Sequence, residues 1–537
     1  MKSFFITTAI DYTNAAPHIG HAYEKILADV IARYHRLKGE PAFFLTGVDQ
    51  HGQKVQQAAQ KEGVAVEKFV AETTAKFVAL WKKLDLSYDA WAATTDPAHK
   101  KCVRDILQAL FDKGEIYKAT YRGFYSVRQE QFLTDKERQP DGAFGPEWGE
   151  VIELEEENWY FRLSKYREWL LGFLDTHGGC VAPSFRQQEL RNAAEKLSGD
   201  LSISRPKSRL SWGIELPFDP SCVTYVWFDA LVNYISFAGY LRDEAAFKDR
   251  WPALHVIGKD ILIPAHGIYW LAMLKAMGFA DSDMPGFLVH GYVLIDGDKM
   301  SKSLGNIRDP NTFADTFGVE ALRYYLMRDC VVGQDMDFTD ERLIQRYNSD
   351  LANNLGNLLH RTLSMAWKYR EGKVSNGSYD DELIADIRWK GQTQITKEAF
   401  PYCMDNFEVD TALSLIRAYC GQCNELIEKS APWKLAKDPQ QVDRLSTVLY
   451  CLAEAIRIIA ILISPVLPKA ASQIFVQLNW SGPMTLCEAT WGKLPDEHQL
   501  GKAVPLFPKI ELQERDCSVD SCGDNAKAEK RPDRNVG

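Results

Sequence analysis

The first 49 residues, MKSFFITTAIDYTNAAPHIGHAYEKILADVIARYHRLKGEPAFFLTGVD (residues 1–49), decide the fold class. Residues 3–9 and 42–46 are short apolar runs, which indicate buried strands. Between them, an apolar residue stands at every fourth position from residue 22 to residue 34, which indicates an amphipathic helix. The sequence Lys-Gly-Glu-Pro at 38–41 ends this helix. Strand, helix and strand in this order predict a right-handed βαβ unit of a parallel sheet.

A second alternating region follows after a long interruption. The runs 254–257 and 287–290 again have the composition of parallel strands, and a helical pattern lies between them. Residues 118–215 differ, because they carry turn sequences such as QPDGAFGPEWGE, many aromatic residues and short strands. We therefore expect one nucleotide-binding sheet in two halves, residues 1–117 and 216–285, joined by a connecting insertion over 118–215.

The remainder of the chain is predicted to be helical. Residues 286–340 contain the loop GDKMSKSLGN and a linker, and residues 341–510 show helical patterns with apolar faces, which indicate a helix bundle. Residues 511–537 are polar and predicted to be disordered. The predicted fold class is therefore α/β, with a split Rossmann-like parallel-sheet domain followed by an all-α bundle.

Composition limits the class of protein. The chain has 537 residues, of which 46% are hydrophobic and 25% charged, and this composition predicts a soluble globular protein of about three domains. No apolar run approaches the length that crosses a bilayer, and the first apolar run lacks a signal-peptide cleavage site. The net charge of −10 argues against a general nucleic-acid coat protein but leaves room for a local basic groove.

The cysteines indicate a reducing compartment. Eleven cysteines lie along the chain without paired spacing, so a disulfide framework is not expected and a cytoplasmic location is. The pair Cys420 and Cys423 lies in an apolar, helix-period stretch with no second pair nearby. Buried thiols on a helix explain this pair better than a zinc site.

The sequence Asn-Ala-Ala-Pro-His-Ile-Gly-His at 14–21 places two histidines at the start of the first predicted helix. A helix N-terminus offers free N–H groups and the positive end of a dipole, which favour phosphate. His18 and His21 share one helix face and can donate hydrogen bonds to one phosphate group, and Gly20 lets a ligand approach closely. The alternatives are capping or surface histidines, or a zinc pair that lacks a third ligand.

A second motif, Lys-Met-Ser-Lys-Ser at 299–303, forms a doubly basic loop after a strand. Lys299 and Lys302, flanked by hydroxyl groups, suit a mobile clamp on a polyphosphate. Alone, this stretch has an alternative as a solvated lysine loop. Together with the two histidines at the other half of a split nucleotide-binding sheet, it is a specific signal for ATP chemistry.

These two motifs resemble the HIGH and KMSKS motifs of class I aminoacyl-tRNA synthetases. The strings AIDYTNAAPHIGHAY, FFLTGVDQHGQKV, YVWFDALVNYI, VIGKDI, NNLGNLLHR and APWKLAK resemble the methionyl-tRNA synthetases in particular, and the resemblance covers about residues 3–510. It implies an aminoacyl-tRNA ligase that uses ATP with Mg²⁺, L-methionine and tRNA(Met). Methionyl-adenylate would form first, and its methionyl group would then pass to the 3′ end of the tRNA.

The resemblance also implies roles for single residues. His18, Gly20, His21, Lys299 and Lys302 would bind ATP, and both histidines and both lysines would act in catalysis. Asp49, at a strand end, would pair with the ammonium group of methionine. The amino-acid pocket as a whole would be formed by Ile10, Tyr12, Asp49, Trp227, Ala230, Tyr234, Asp260 and His266. Asn357, Arg361 and Trp433 would read the anticodon.

Chemistry alone leaves the amino acid open. Aromatic side chains can enclose a thioether, but an apolar pocket of this kind would accept leucine or isoleucine nearly as well. Without the resemblance, ordinary core packing is the preferred explanation of these aromatic residues. Trp433 has the same alternative, a core-filling role.

The chain departs from the family pattern in three places. Asp11 stands where many relatives have tyrosine, and His266 lies six residues after Asp260 where five are usual. The zinc-binding cysteines that many relatives carry in the insertion would fall near Ser126, Gln129, Gly145 and Trp148, and no cysteine occurs between positions 102 and 180. Since structural zinc requires thiolates or imidazoles, we predict no structural zinc and no other bound metal site.

Other classes of protein remain as alternatives. A synthetase for leucine, isoleucine, valine or cysteine would share the motifs, and a small-molecule nucleotidyltransferase would share the first of them. An inactive, RNA-binding relative would lack a reason to keep His18, His21, Lys299 and Lys302. The sequence shows no appended tRNA-binding barrel, so a monomer is expected, with no membrane or DNA partner.

Overall fold

The computed structural model describes residues 2–127, 131–133, 137–139, 141–300, 305–377 and 382–511. Lys302, Gln129 and nearly all of the predicted tail 511–537 lie outside the described residues.

The first half of the nucleotide-binding domain alternates strands and helices as its hydrophobic pattern predicts. Its elements are β1 Phe4–Thr8, β2 Asp11–Tyr12, α1 Ile19–Leu37, β3 Ala42–Asp49, α2 Gln53–Glu62, α3 Val66–Lys83, β4 Ala90–Ala93 and α4 Pro97–Asp112.

The middle of the chain is mostly antiparallel. Its elements are β5 Ile116–Ser126, β6 Gln131–Leu133, β7 Val151–Phe161, α5 Arg167–Thr176, β8 Val181–Ala182, α6 Ser184–Glu195, β9 Leu201–Ser202, β10 Ser204–Pro206, β11 Glu215–Leu216 and β12 Asp219–Thr224.

The second half returns to strand and helix alternation. Its elements are α7 Val226–Ser236, α8 Glu244–Arg250, β13 Ala253–Gly258, α9 Lys259–Ile261, a π-helical segment Leu262–Trp270, α10 Leu271–Met277, β14 Gly286–His290, β15 Val293–Ile295, β16 Asp298–Lys299, α11 Pro310–Phe317, α12 Val319–Asp329 and β17 Met336–Asp337.

The remaining described residues form the helix bundle. Its elements are α13 Asp340–Arg346, a π-helical segment Tyr347–Gly356, α14 Asn357–Arg370, β18 Lys373–Val374, α15 Glu382–Trp389, a π-helical segment Lys390–Ala399, α16 Phe400–Asp405, α17 Val409–Ser430, α18 Pro432–Leu435, α19 Val442–Ile463, α20 Pro468–Gln477 and β19 His498–Gln499.

A parallel sheet unites the two halves of the nucleotide-binding domain, which confirms the predicted fold class. Its order is β2-β3-β1-β13-β14-β8, and β4 also pairs with β3. Strand β1 lies between β3 of its own half and β13 of the other half, with both pairings parallel. This is the point at which the strand order switches direction, and ligands of such sheets bind at the carboxyl ends of the strands there.

Only part of the predicted insertion 118–215 stands apart from this sheet. Strand β8 pairs in parallel with β14 at the sheet edge. The short run Val181–Ala182 gave no strand signal in the sequence, because a two-residue strand has no periodicity to detect. The antiparallel sheet β6-β5-β7-β9 forms the separate part.

The tip of the β5–β7 hairpin is held by contacts that need no metal. The Ser126 hydroxyl donates a hydrogen bond to the Trp148 carbonyl oxygen at 2.5 Å. The guanidinium carbon of Arg138 lies 4.5 Å from the ring centres of both Phe124 and Phe144. Two of the positions at which zinc ligands would fall, 126 and 148, are thus joined directly by a hydrogen bond.

One helix contradicts the expectation that no apolar run has the length to cross a membrane. The stretch Pro439–Ile463 has a mean hydropathy of 2.0 in its most apolar window, and that window is completely buried within the bundle. The helix also carries Glu454 and Arg457, which are fully buried and ion-paired at 2.8 Å. It is the central helix of the bundle, surrounded by apolar neighbours on every side, and this explains its apolar composition.

Arg323 links helix α1 to the bundle through a buried ion pair and hydrogen bonds to backbone carbonyls. Asp29 of α1 and Arg323 of α12 are both inaccessible to solvent, and their charged groups are 2.7 Å apart. Arg323 also donates to the carbonyl oxygens of Leu84, Pro465 and Val466. Burial alone would raise the pKa of Asp29, but the neighbouring arginines lower it below its usual value. Helix α1 is therefore fixed against both domains.

Candidate active site

A cavity of about 500 Å³ opens at the carboxyl ends of β1, β3, β13 and β14. This is the position that the switch in strand order predicts. The cavity is lined by every described residue that the sequence predicted to bind ATP or the amino acid. These residues are Ile10, Tyr12, His18, Gly20, His21, Asp49, Trp227, Ala230, Tyr234, Asp260, His266 and Lys299.

The two histidines form a reciprocal cap at the start of α1. Nδ1 of His18, the N-cap residue, accepts a hydrogen bond from the Gly20 N–H at 3.1 Å, and Nδ1 of His21 accepts one from the His18 N–H at 3.1 Å. The rings stack with their centres 3.8 Å apart. Because each Nδ1 is an acceptor, each neutral ring carries its proton on Nε2. The cap thus fixes two Nε2–H donors at the cavity wall.

Both imidazoles remain neutral over the ordinary pH range. Burial and the charge of His21 lower the pKa of His18 to about 3. Burial and the charge of Lys25 lower the pKa of His21 to about 3 as well. The histidines can therefore offer an anion neutral hydrogen-bond donors but no positive charge.

Gly20 makes room for a ring of the protein itself. A Cβ atom at this position would lie 3.0 Å from Cε1 and 3.1 Å from Nδ1 of His18. These distances are tighter than ordinary contacts, so a side chain at position 20 would require the His18 ring to shift by a few tenths of an ångström. The sequence argument assigned this space to a ligand, and the structure adds the stacked ring as a second reason for glycine.

Asp11, whose charge the sequence left without a place, belongs to a buried network. Lys25, completely inaccessible to solvent, contacts Asp11 at 2.6 Å and Glu24 at 2.8 Å. Glu24 also contacts Nε2 of His290 at 3.0 Å, and Nδ1 of His290 faces the Gly291 carbonyl oxygen at 2.7 Å. Lys25 thus bridges the two carboxylates, and His290 links Glu24 to the Gly291 carbonyl oxygen.

This network leaves one acceptor open. Oδ2 of Asp11 is buried and has no hydrogen-bond partner among the described residues. Burial, the largest effect, raises the pKa of Asp11 although Lys25 lowers it. For Glu24, the attraction of Lys25 and His290 outweighs burial and lowers the pKa to about 2. Lys25 holds both carboxylates in place beneath the cavity.

Asp49 is the last residue of β3 and is 2% exposed. Its Oδ1 accepts hydrogen bonds from the His51 N–H at 3.2 Å and from the Thr94 hydroxyl at 3.3 Å. No lysine, arginine or histidine of the described residues forms an ion pair with it. Burial and the nearby Asp229 raise the pKa of Asp49 well above its usual value. A buried carboxylate without a countercharge at a cavity wall is a site for an added cation.

Aromatic side chains enclose the space beside Asp49. The rings of Tyr12 and Trp227 meet edge to face at 6.3 Å. Nδ1 of His266 lies 2.8 Å from the Ile261 carbonyl oxygen and therefore donates, so Nε2 accepts the hydroxyl proton of Tyr234 at 2.8 Å. Burial lowers the pKa of His266 to about 4. This pocket has apolar walls and one fixed polar pair.

The unusual spacing before His266 coincides with a break in the helix. Ile263 has φ −118° and ψ 125°, which are non-helical values, inside the segment Leu262–Trp270. The chain is therefore kinked at Ile263, between the short helix that contains Asp260 and the helical residues that follow. The six-residue spacing from Asp260 is accommodated there, and His266 still lines the cavity.

Lys299 lines the same cavity as the two histidines. Its Nζ lies 3.3 Å from Oδ2 of Asp260 and 4.0 Å from the ring centre of Tyr292. Burial lowers its pKa, but Asp260 and Tyr292 raise it more, and the net shift is upward. Lys299 is therefore a permanent positive charge. Lys302, its predicted partner in the clamp, lies outside the described residues.

The three predicted anticodon residues lie at one end of helix α17. Asn357 and Arg361 are one turn apart on α14, and Arg361 contacts Glu428 near the end of α17 at 2.7 Å. Trp433 follows α17 in the short helix α18 and is half-buried against the bundle core. The predicted residues are thus on neighbouring elements, and they do not line the cavity.

Sequence reasoning missed Glu24, His290 and Tyr292, which also line the cavity. Glu24 follows His21 by three residues and so shares its helix face, and His290 ends a parallel strand as Asp49 does. Both signals were present in the sequence. Tyr292 had no such signal, because it stands in an irregular loop.

Comparisons with known proteins agree with this geometry. The chain matches the family described as tRNA synthetases class I (M) over residues 4–141 and 148–363. It also matches the family described as the anticodon binding domain of methionyl tRNA ligase over residues 372–520. The chain belongs to the methionyl-tRNA synthetase family. The resemblance found from the sequence motifs is thereby confirmed.

Similar members of the methionyl-tRNA synthetase family cover most of the chain. The methionine–tRNA ligase of Deinococcus radiodurans is 41% identical over 519 residues, which cover 95% of this chain and 75% of the relative. That of Thermotoga maritima is 40% identical over 517 residues, 95% of this chain and 81% of the relative. A solved Mycobacterium tuberculosis methionyl-tRNA synthetase in complex with methionyl-adenylate has a TM-score of 0.89 at 37% identity, and the match covers 95% of this chain and 100% of that one.

The buried network under the cavity can be tested in this member of the methionyl-tRNA synthetase family by replacing its central cation. Lys25→Met leaves Asp11 and Glu24 buried without their shared partner, and we expect it to lower the free energy of unfolding by about 3–5 kcal/mol. The deficit should be larger at about pH 8 than at about pH 5. In the variant both carboxylates have pKa values above those of the unfolded chain, so the folded state loses bound protons as the pH rises.

Urea unfolding at both pH values measures this effect. Lys68→Met is the matched control, because Lys68 is exposed and its pairing with Glu72 contributes little. The double variant Asp11→Asn/Lys25→Met removes one uncompensated charge and should recover part of the loss. Equal stability of Lys25→Met and Lys68→Met would contradict the role of the network.

Proposed function

We propose that the chain activates L-methionine with ATP to form methionyl-adenylate and then transfers the methionyl group to the 3′ end of tRNA(Met). The observation that carries this proposal is the cavity that gathers two fixed Nε2–H donors, a permanent cation and an uncompensated carboxylate, in a chain that belongs to the methionyl-tRNA synthetase family over most of its length.

In the first step a carboxylate oxygen of methionine attacks the α-phosphorus of ATP. The new carboxylate O–P bond forms as the bond from the α-phosphorus to the bridging oxygen breaks, and pyrophosphate leaves with the electron pair. No covalent enzyme intermediate is needed, so catalysis consists of positioning and charge stabilisation. His18 and His21 would donate Nε2–H groups to the phosphate oxygens, and Lys299 and Lys302 would supply positive charge as pyrophosphate departs.

The amino acid would be recognised at two points. Its ammonium group would pair with Asp49, which has no other countercharge among the described side chains. Its thioether would lie among Tyr12, Trp227 and Tyr234, since sulfur contacts ring edges favourably. Ile10, Ala230, Asp260 and His266 would complete the pocket.

In the second step a ribose hydroxyl of the terminal tRNA nucleotide attacks the methionyl carbonyl carbon, and AMP leaves. Correct tRNA would be selected at the far end of the molecule, by Asn357, Arg361 and Trp433. Single-stranded bases are read by stacking on aromatic side chains and by polar groups at their pairing edges, and these three residues supply both.

Mg²⁺ would enter as part of the MgATP substrate. It usually keeps several water ligands and binds through substrate phosphates, so it does not need a protein cage. The described residues contain no group of three or more histidine, cysteine, aspartate or glutamate side chains arranged for a metal ion.

The insertion would fold without zinc, because the Ser126–Trp148 hydrogen bond and the packing of Arg138 between Phe124 and Phe144 hold its tip. Elemental analysis of the purified chain should find no stoichiometric zinc, and a chelator should leave its melting temperature unchanged. One zinc per chain would contradict this expectation.

The remaining expectations concern the setting of the reaction. We infer a monomer in the cytoplasm whose nucleic-acid partner is tRNA and not DNA. The support for the cytoplasmic location is chemical. The described cysteines are free thiols and most of them are buried, as expected in a reducing compartment.

Pyrophosphate exchange into ATP tests the activity and the clamp together. When each of the twenty amino acids is tested in turn, methionine should support the fastest exchange. Leucine, isoleucine, valine and cysteine should support little exchange. Lys302→Ala should lower the exchange rate by roughly a hundredfold, about 3 kcal/mol of transition-state stabilisation, while ATP binding weakens much less. Exchange with another amino acid would point to a sister synthetase, and an unchanged rate in Lys302→Ala would refute the clamp.

The pH dependence of the methionine KM tests Asp49. Only the ionised carboxylate pairs with an ammonium group, and Asp49 has a raised pKa before the substrate binds. The methionine KM should therefore fall as the pH rises through that pKa, whereas the ATP KM should not follow it. Asp49→Asn should raise the methionine KM and remove its pH dependence. A variant with the wild-type methionine KM and the wild-type pH dependence would contradict the assignment.

Trp433→Ala tests the anticodon role. If the indole stacks on a base, the variant should lose about 1–3 kcal/mol in tRNA binding or transfer, while pyrophosphate exchange stays near that of the wild type. A purely core-filling tryptophan would instead cost about 3–5 kcal/mol of stability. Aminoacylation, exchange and melting temperature are measured on the same preparation, and a parallel decline of all three would speak for packing alone.

A further inference from the structure

A chain of buried polar side chains lies behind Asp49. Asp229 of α7 is completely buried, and its two oxygens are both used: Oδ2 lies 2.6 Å from Nδ1 of His51, and Oδ1 lies 2.8 Å from Nε2 of His99. Nδ1 of His99 in turn lies 2.8 Å from the Ser236 hydroxyl. The network links the segment after β3, helix α4 and helix α7, and none of its members appears among the residues that the motifs imply.

His51 connects this network to Asp49. Its backbone N–H donates to Oδ1 of Asp49 at 3.2 Å, while its ring is bonded to Asp229. The chain between β3 and α2 has no regular hydrogen-bonding pattern, and Gly52 turns it with a φ of 105°. The peptide that carries the His51 N–H is held at its carbonyl, where Gln50 accepts a hydrogen bond from Nε1 of Trp212 at 2.5 Å. The ring contact with Asp229 is the anchor on the His51 side chain itself.

The network also places a fixed negative charge beside Asp49. Burial would raise the pKa of Asp229, but hydrogen bonds and charge from His51 and His99 lower it to about 2. Asp49, in contrast, has a raised pKa, and Asp229 contributes to that rise. The Asp229 carboxylate thus has two histidine partners, whereas Asp49 has no ion-pair partner among the described residues.

We propose that Asp229 is a positioning residue for amino-acid recognition: through His51 it fixes the Asp49 carboxylate in the orientation that receives the substrate ammonium group. His99 holds Asp229 from the opposite side and keeps its second oxygen occupied. This inference rests on the proposed function, because it concerns the amino acid bound in the same cavity.

Asp229→Asn tests this directly, since asparagine keeps the shape and removes the charge. Steady-state pyrophosphate exchange gives KM values for methionine and for ATP. We expect the methionine KM to rise at least about tenfold and the ATP KM to stay within about twofold. Val232→Ala is the matched control, because Val232 lies fully buried on the same helix but outside the network and the cavity lining. It should lose stability without separating the two KM values.

A ligand that lacks the ammonium group separates positioning from general damage. The analogue 4-(methylsulfanyl)butanoate has the carboxylate and thioether of methionine but no amino group, and its inhibition constant is measured against methionine-dependent exchange. If Asp229 acts on the ammonium site, Asp229→Asn should leave this constant within about twofold of the wild type. An equal loss for methionine and the analogue would overturn the inference, as would a methionine KM no higher than that of Val232→Ala.

Two variants at His99 keep the test decisive if Asp229→Asn does not fold. The amide nitrogen of glutamine replaces Nε2, so His99→Gln keeps the donor to Asp229, whereas His99→Asn mimics Nδ1 and loses it. We expect a raised methionine KM only in His99→Asn, and equal values in both variants would contradict the inference. A wild-type chain without methionine-dependent exchange would instead refute the proposed function itself.

Discussion

A buried carboxylate needs a compensating partner, and this constraint organises the carboxyl edge of the parallel sheet. At this edge Glu24 is paired with Lys25 and His290, and Asp229 with two histidines; farther along α1, Asp29 is paired with Arg323. Asp49 also lies at this edge, and no side chain of the described residues forms an ion pair with it. This exception is the observation on which the proposed pairing of Asp49 with the substrate ammonium group rests.

Helix α1 carries several of these constraints at once. Its first turn fixes the Nε2–H donors of His18 and His21, its second turn places Lys25 under the cavity, and its third turn holds Asp29 against Arg323. Arg323 reaches the carbonyl groups that precede α20, so the same helix contacts the catalytic cavity and the bundle. A displacement of the bundle would therefore be resisted at the helix that presents the phosphate donors.

The sequence predicted the features that depend on periodicity and on local motifs. The βαβ unit, the parallel strands and the bundle were all visible as repeating apolar positions, and His18, His21 and Asp49 stood at predictable element ends. The features that it missed depend on distant partners. The role of Asp11 depends on Lys25, which contacts it, and β8 is a strand only because it pairs with β14. The sequence predicted α19 as a helix of the bundle, but it did not show that this helix is completely buried.

The same network explains how one cavity can hold substrates of opposite charge. A triphosphate near α1 would be repelled by Asp11 and Glu24, which also line the wall, if their charges were exposed. Lys25 contacts both carboxylates and His290 contacts Glu24, so the end of the cavity near α1 presents neutral histidine donors and the charge of Lys299. At the other end, Asp49 keeps its charge available. Because interactions in a low-dielectric cavity reach further than in water, this separation requires compensation inside the protein and cannot be left to solvent screening.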